Sequence, residues 1–266
     1  MEKITSLQNP RIKSLLALIE KVRERRKNGL FVVEGAREIG MAIRGGYTLQ
    51  SLFVCREIWN NRNSLPDTVQ RFEVSTAVFE KLAYRVGSDG LLAVAVQKDL
   101  RPDSLRLPPN PVILVLEGVE KPGNLGAILR TADAAGVSAV ITCDPQCDVF
   151  NPNAVRASVG CLFTVQVACC SSDEALSFLR RQGIMVLATA LRSAAWYHEA
   201  DMRKPCAIVM GAEAGGLTDF WLRAADAWIK IPMHGAIDSL NVSVAAAVIT
   251  FEAMRQRGFR DSSLQQ

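Results

Sequence analysis

Histidine is almost missing from this chain: His198 and His234 are the only two in 266 residues. A metal centre built on imidazole ligands therefore has no basis. Cysteine is present seven times, an odd number, and no CxxC pair occurs. Neither a disulfide framework nor a zinc site is supported, and most of these thiols sit in apolar company as small core residues. No apolar run approaches the ~18 residues of a membrane span. The start, MEKITSLQNPRIKS, lacks the apolar centre of a secretory signal. A soluble, cytoplasmic protein is expected. Internal repeats and low-complexity tracts are also lacking. So are the GxGxxG dinucleotide fingerprint and the GK[ST] of a phosphate-binding P-loop.

What is present is a hydrophobic content of 49%, ample for a buried core. The net charge of +4 is unevenly spread: residues 1–100 hold 16 Lys/Arg against 11 Asp/Glu, and the remainder 15 against 16. A basic N-terminal part suits a polyanionic partner. Within it, a helix over Ile4–Asn28 is expected, with Ile12, Leu15, Leu16 and Ile19 as its apolar stripe and Gly29 as its stop. Lys21, Arg23, Arg25, Arg26 and Lys27 crowd its end. Such cations suit a helix C-terminus, and they equally suit phosphate contact; five within seven residues favour the second.

Strands at Leu30–Gly35, Ser51–Cys55, Arg71–Ser75 and Leu91–Val96 alternate with short helices. That alternation implies a small three-layer α/β domain over residues 1–98. Residues 99–111 are proline-rich, lack apolar periodicity and read as a linker. From 112 to 266, apolar strands such as Val112–Gly118, Val137–Cys143, Cys161–Ala168, Met185–Ala190 and Pro205–Gly211 alternate with helices. That pattern indicates a parallel sheet covered on both faces. Ligands bind at the C-terminal ends of such strands.

Three loops at those ends are unusual. Glu117–Gly136 carries Gly123, Asn124, Gly126 and Arg130, with a helix expected from about Leu125. Val209–Asp219 carries Gly211, Glu213, Gly215 and Gly216, whose bare backbone would allow close approach by a ligand. Ile231–Ile249 places Ser239, Asn241 and Ser243 before a small-residue helix. Alone, the last stretch reads equally well as a capped core helix or as a holder of a polar ligand.

Together these segments resemble the SpoU/TrmH family of RNA ribose methyltransferases, in the knotted SPOUT superfamily. Asn124, Gly126 and Arg130 match its first motif; Gly211, Glu213, Gly216 and Leu217 its second. Its third is matched by Ile231-Pro232-Met233, then Ser239-Leu240-Asn241-Val242-Ser243. Lys121 departs from the family, where that position is often acidic. Phe31–Ile39, after the basic helix, looks like the family's N-terminal substrate-binding domain, which resembles RNA-binding ribosomal proteins.

The resemblance implies a parallel-sheet domain with a C-terminal trefoil knot, and methyl transfer from S-adenosylmethionine to a ribose 2′-hydroxyl. Ribosomal RNA, 23S in particular, is favoured over tRNA as substrate, and the competing reading is a non-catalytic RNA-binding or assembly factor. By the same resemblance Asn124, Arg130, Glu213, Ser239 and Asn241 are catalytic. Thr189, Ala190, Gly211, Ile231 and Leu240 hold the cofactor. Arg23, Arg25, Arg26, Lys27 and Glu34 contact RNA, the protein is a homodimer, and no metal takes part.

Overall fold

The structure is a computed structural model that describes residues 2–59, 69–84, 87–213 and 215–259. Ala214 of the glycine loop and the last seven residues of the expected C-terminal domain lie outside this set. Two compact units emerge. One contains the residues up to Lys98 together with Asp148–Thr164; the other contains Asp99–Cys147 and the residues from Val165 on.

In the first unit, β1 (Glu2–Ile4), α1 (Pro10–Glu20), α2 (Val22–Asn28), β2 (Leu30–Glu34), α3 (Ala36–Arg44), β3 (Leu49–Val54), β4 (Gln70–Val74), α4 (Thr76–Leu82) and β5 (Leu91–Val96) follow in order. The strands form one mixed sheet, β1-β4-β3-β5-β2, in which β5 runs antiparallel to both neighbours. Where one long N-terminal helix was expected there are two, after a short strand. Asn9 starts α1, its side chain accepting from the Arg11 N–H at 2.9 Å with Pro10 in the first turn. Both residues suit that place, an oxygen to fill a free N–H and a ring that needs none. Lys21 is extended and separates the two helices. The second helix ends at Gly29, in the left-handed region with φ 62°, where glycine carries no Cβ penalty.

The break at Lys21 lets Arg25 turn inward. It is only 2% exposed. Its Nη1 donates to the Leu18 and Ile19 carbonyls at 2.8 and 3.1 Å, filling acceptors that the end of α1 leaves open. Its Nε donates to Asp148 Oδ2 at 2.6 Å. Asp148 opens the segment that supplies Phe150 and Phe163 to this core, with ring centroids 4.5 and 6.2 Å from that of Phe31. That docking explains why Cys161–Ala168 is not one strand. Cys161–Phe163 is a 3-10 turn entered through Gly160 (φ 88°), and Leu162 and Phe163 are buried.

The second unit contains β6 (Val112–Glu117), α5 (Pro122–Ala135) and β7 (Ala139–Cys143). After α6 (Pro152–Ala157), which belongs to the first unit, come β8 (Val167–Cys170), α7 (Ser172–Arg181), β9 (Met185–Thr189), β10 (Cys206–Met210), α8 (Asp219–Ala224), β11 (Ala227–Ile229) and α9 (Val242–Gln256). Its sheet is all parallel, in the order β11-β9-β10-β6-β7-β8. Residues 99–111 are not a bare tether. They include a 3-10 turn at Pro102–Ser104, and Leu105 and Leu107 pack on the apolar cluster of this unit. Trp221 is fully buried in that cluster, its Nε1 donating to Ser172 Oγ at 3.0 Å. Among the described residues no helix is long and apolar enough to cross a membrane.

Removing one partner of a buried ion pair leaves the other charge stranded, at a cost of about 3–5 kcal/mol. Arg25→Ala should therefore lower the melting temperature of the full chain by several degrees in calorimetry. A melt indistinguishable from wild type would show that Arg25 does not hold α1, α2 and Asp148 together.

Candidate active site

Three strand ends of the second unit open into one cavity of about 610 Å³. Thr189 ends β9 and Ala190 and Leu191 follow it; Met210 ends β10 and Gly211, Ala212, Glu213, Gly215 and Gly216 follow; Ile229 ends β11 and Lys230, Ile231, Met233, Asp238, Ser239 and Leu240 follow. The first turns of α9 complete the wall. The volume is within the ~300–1,000 Å³ range of small-molecule sites, and the C-terminal ends of parallel strands are where such ligands bind. All five residues expected to hold a cofactor, Thr189, Ala190, Gly211, Ile231 and Leu240, line it. The Thr189 hydroxyl itself is committed, donating to the Val209 carbonyl at 2.9 Å.

The glycine loop is held in two ways. Gly216 N–H donates to the Ala212 carbonyl at 2.9 Å, closing a tight turn with Gly216 at φ 64°. A Cβ on Gly211 would lie 2.1 Å from the Gly216 carbonyl carbon. Gly211 is therefore bare so that the loop can double back on itself, and it also lines the cavity. At the far end, Thr218 donates from N–H and Oγ1 to the buried Glu117 carboxylate at 2.8 and 2.6 Å.

The three motif loops meet at Glu213. Its Oε1 accepts from Asn124 Nδ2 at 2.7 Å and from Asn241 Nδ2 at 2.6 Å, while Lys121 makes an ion pair with Oε2. Asn241 Nδ2 also approaches Asn124 Oδ1 at 3.2 Å. Its Oδ1 accepts from Ser243 N–H at 3.0 Å and Ser243 Oγ at 2.6 Å, which caps α9. The helix that carries Asn124 begins at Pro122, three residues earlier than expected, so Asn124 lies in its first turn and not in a loop before it. A second recess, of about 310 Å³, lies on the Lys121 and Asn124 side. Glu213 and Val242 border both spaces.

The other two expected catalytic residues stand apart from this cluster. Ser239 lines the larger cavity, its hydroxyl donating to Asp238 Oδ1 at 3.0 Å. Arg130, six residues along α5 from Asn124, points about a third of a turn away. It is exposed, and among the described residues it makes no hydrogen bond or ion pair. Lys121, which in sequence stands out only as a departure from the family, is the cation of the cluster. Its signal was a charge of the opposite sign to the usual one, one residue before a helix that starts beside an acidic loop.

Of the expected RNA contacts, Arg23, Arg26 and Lys27 are exposed on α2. Arg25 is corrected, because its guanidinium is buried and committed within the fold. Glu34 ends β2, with Oε2 accepting from the Tyr84 N–H at 2.8 Å. Among the described residues no group of three or more His, Cys, Asp or Glu could hold a metal ion.

Residues 111–251 match the SpoU rRNA Methylase family, and residues 9–93 match the MRM3-like substrate binding domain. The 23S rRNA (guanosine(2553)-2′-O)-methyltransferase RlmP of Bacillus subtilis is 29% identical over 94% of this chain and 98% of its own length. The tRNA (guanosine(18)-2′-O)-methyltransferase of Thermus thermophilus is 46% identical over 54% of this chain and 74% of its own. The solved structure of an AdoMet-bound rRNA methyltransferase from Sinorhizobium meliloti superposes with a TM-score of 0.87 at 30% identity, covering 96% of this chain and 97% of that one.

Lys121, and then the Asn124 amide, hold the Glu213 carboxyl below the ordinary glutamate range. A lowered pKa means that the charged network is complete above that range and is lost as pH falls through the lowered value. In a carboxyl-detected NMR titration, Lys121→Ala should move the Glu213 midpoint up towards the ordinary value. An unchanged midpoint would show that the ion pair does not form in solution.

Proposed function

The chain belongs to the SpoU rRNA Methylase family and is an S-adenosylmethionine-dependent RNA ribose 2′-O-methyltransferase, and we propose that its substrate is ribosomal RNA, methylated by a homodimer in the cytoplasm. The observation that carries the active-site assignment is the convergence of Asn124, Glu213 and Asn241 beside the 610 Å³ cavity. Ribosomal RNA is favoured because the likeness to the RlmP enzyme spans nearly the whole chain, N-terminal unit included. The tRNA enzyme matches only about half of it.

The cofactor, when bound, supplies a methyl group activated by a sulfonium. The cavity suits it: Met210, Ile231, Leu240, Val242 and Ile249 offer apolar walls for an adenosine, and Asp238 and the loop backbone offer polar groups. The smaller recess, on the other side of Glu213, is where the ribose would stand. Asn124 and Asn241, locked by Glu213, would hold the sugar so that its 2′-hydroxyl lies in line with the methyl. Ser239 would shape the cavity wall. As the 2′-oxygen takes the methyl, the methyl–sulfur bond would break with its electron pair left on a neutral thioether, the hydroxyl proton would pass to water, and the oxygen would carry negative charge on the way. Arginine is too weak an acid to act as a base at neutral pH, so Arg130 serves by stabilising that charge.

Arg130 lies outside its own chain's cluster, which supports delivery from a second copy. The outer face of α9 supports the same dimer. Val244 and Phe251 are 48% and 41% exposed, and their spacing of two helical turns puts them on one side. Ala246, Ile249 and Ala253 on the other side are buried, and α9 packs against α5. Threading of the C-terminal segment into a trefoil knot belongs to the same reading.

Arg130→Ala should cut incorporation of radiolabelled methyl into RNA at least a hundredfold while calorimetry finds cofactor affinity within about twofold of wild type. Incorporation near the wild-type level would remove Arg130 from the mechanism. Phe251→Glu should convert a dimer to a monomer in sedimentation and lower activity in parallel. A dimer unaffected by the charge, or a wild type that is monomeric at all concentrations, would place the interface elsewhere or abolish it.

A further inference from the structure

A second pocket lies wholly within the N-terminal unit. It encloses about 320 Å³, with a floor of Val32, Leu82, Leu92 and Val155. Room of that size beside aliphatic side chains suits one planar heterocycle. Its polar groups are unusual. Glu34 is held by one oxygen, Oε2, on the Tyr84 N–H, whereas Oε1 is buried and has no hydrogen-bond partner among the described residues. The Ser88 hydroxyl, on the same wall, is also buried and has no partner among the described residues. Buried polar atoms are normally satisfied, and a carboxylate oxygen accepts only. Such an arrangement calls for a donor supplied from outside.

The backbone keeps that oxygen in place. Gly35 follows Glu34 at φ 98°, where a Cβ would lie 2.6 Å from Glu38 Oε2, and the chain then enters α3 with the Ala36 N–H on Asp89 Oδ2 at 2.7 Å. Tyr84, which fixes Oε2, is itself fixed by Asn153 Nδ2 on its hydroxyl at 3.0 Å. Arg37 and Arg156 line the pocket and are exposed, and neither is engaged in an ion pair among the described residues. The pocket thus offers an apolar slot, a fixed anionic acceptor inside and free cations at the surface.

From this we propose that the pocket takes an unpaired guanine of the RNA, its N1–H and 2-amino edge donating to Glu34 and its flanking phosphates meeting Arg37 and Arg156. Guanine is the base whose pairing edge carries two adjacent N–H donors. Adenine and cytosine present a single amino group beside an acceptor, which a fixed carboxylate repels. Single-stranded bases are read on this edge by proteins. The exposed Arg23, Arg26 and Lys27 on α2, in the same unit, fit a polyanionic nucleic acid better than an uncharged small molecule. The proposal rests on RNA being the substrate and adds a base-reading site separate from the nucleotide that is methylated.

The test is fluorescence anisotropy with the full chain and no methyl donor, using labelled five-nucleotide RNAs with a central guanine, hypoxanthine, adenine or uracil between uracils. The guanine RNA should bind about tenfold more tightly than the adenine RNA, and hypoxanthine, which lacks the 2-amino group, should fall between them. Glu34→Gln should bring guanine to the adenine level. Ser88→Ala, a change that removes one hydroxyl and little packing, should reduce the preference severalfold. Equal affinity for all four RNAs, or a guanine preference that survives Glu34→Gln, would overturn the proposal. Because methyl incorporation is read separately, an active enzyme with no base preference would remove this pocket alone. Failure of the incorporation assay on every RNA would instead remove the reading on which it rests.

Discussion

One carboxylate organises the second unit. Glu213 gathers two side-chain amides and an ammonium from segments 89 and 92 residues before it and 28 after it. Loops after parallel strands have no regular pairing to set their relative positions. A charge-assisted acceptor shared by all of them does that with short, directional bonds. The cluster is largely exposed, so it adds little to stability. Its effect is on geometry, since each amide that Glu213 orients is left with its other polar groups aimed in a fixed direction. The tight Ala212–Gly216 turn and the Glu117–Thr218 contact keep the carboxylate itself from drifting.

The N-terminal unit solves a different problem. Its sheet is mixed, its α1 is short, and the end of that helix would leave carbonyls unsatisfied inside the protein. Arg25 fills them and is neutralised by Asp148. A cation in the middle of a basic run is thus the one member that cannot meet solvent. Sequence spacing alone does not separate it from Arg23 and Arg26, since the three differ only in which side of a short helix they face.

Much of the architecture was legible because it follows from periodicity. The apolar runs that became β6, β7, β9 and β10 could only be strands of a doubly covered sheet. Asn241 was readable as a helix cap from its short side chain before a small-residue helix. The cavity walls were legible from the motif resemblance, because Thr189, Gly211, Ile231 and Leu240 end strands or begin loops. What escaped depended on partners distant in sequence. The short β1 strand is defined only by its pairing with β4, Glu2 lying opposite Phe72 and Ile4 opposite Val74. Cys161–Phe163 looks like a strand because it is apolar, and it is apolar for burial in the other unit's core. One reason for Gly211 was not legible: the chain's own return brings Gly216 to 2.1 Å from where a Cβ would stand.

The excursion Asp148–Thr164 has a consequence for how this protein can be divided. The chain passes between the two units three times, after Lys98, after Cys147 and after Thr164. A fragment cut at the first crossing would lose Asp148, Phe150 and Phe163, and with them the counter-charge of Arg25 and the rings packed on Phe31. Exchange of the first unit between related enzymes therefore cannot be a matter of one junction. A grafted N-terminal unit needs its own matching insert, Asp148–Thr164, between β7 and β8. Recombination that ignores this pairing would yield chains whose two halves are each native in sequence and whose first core is incomplete.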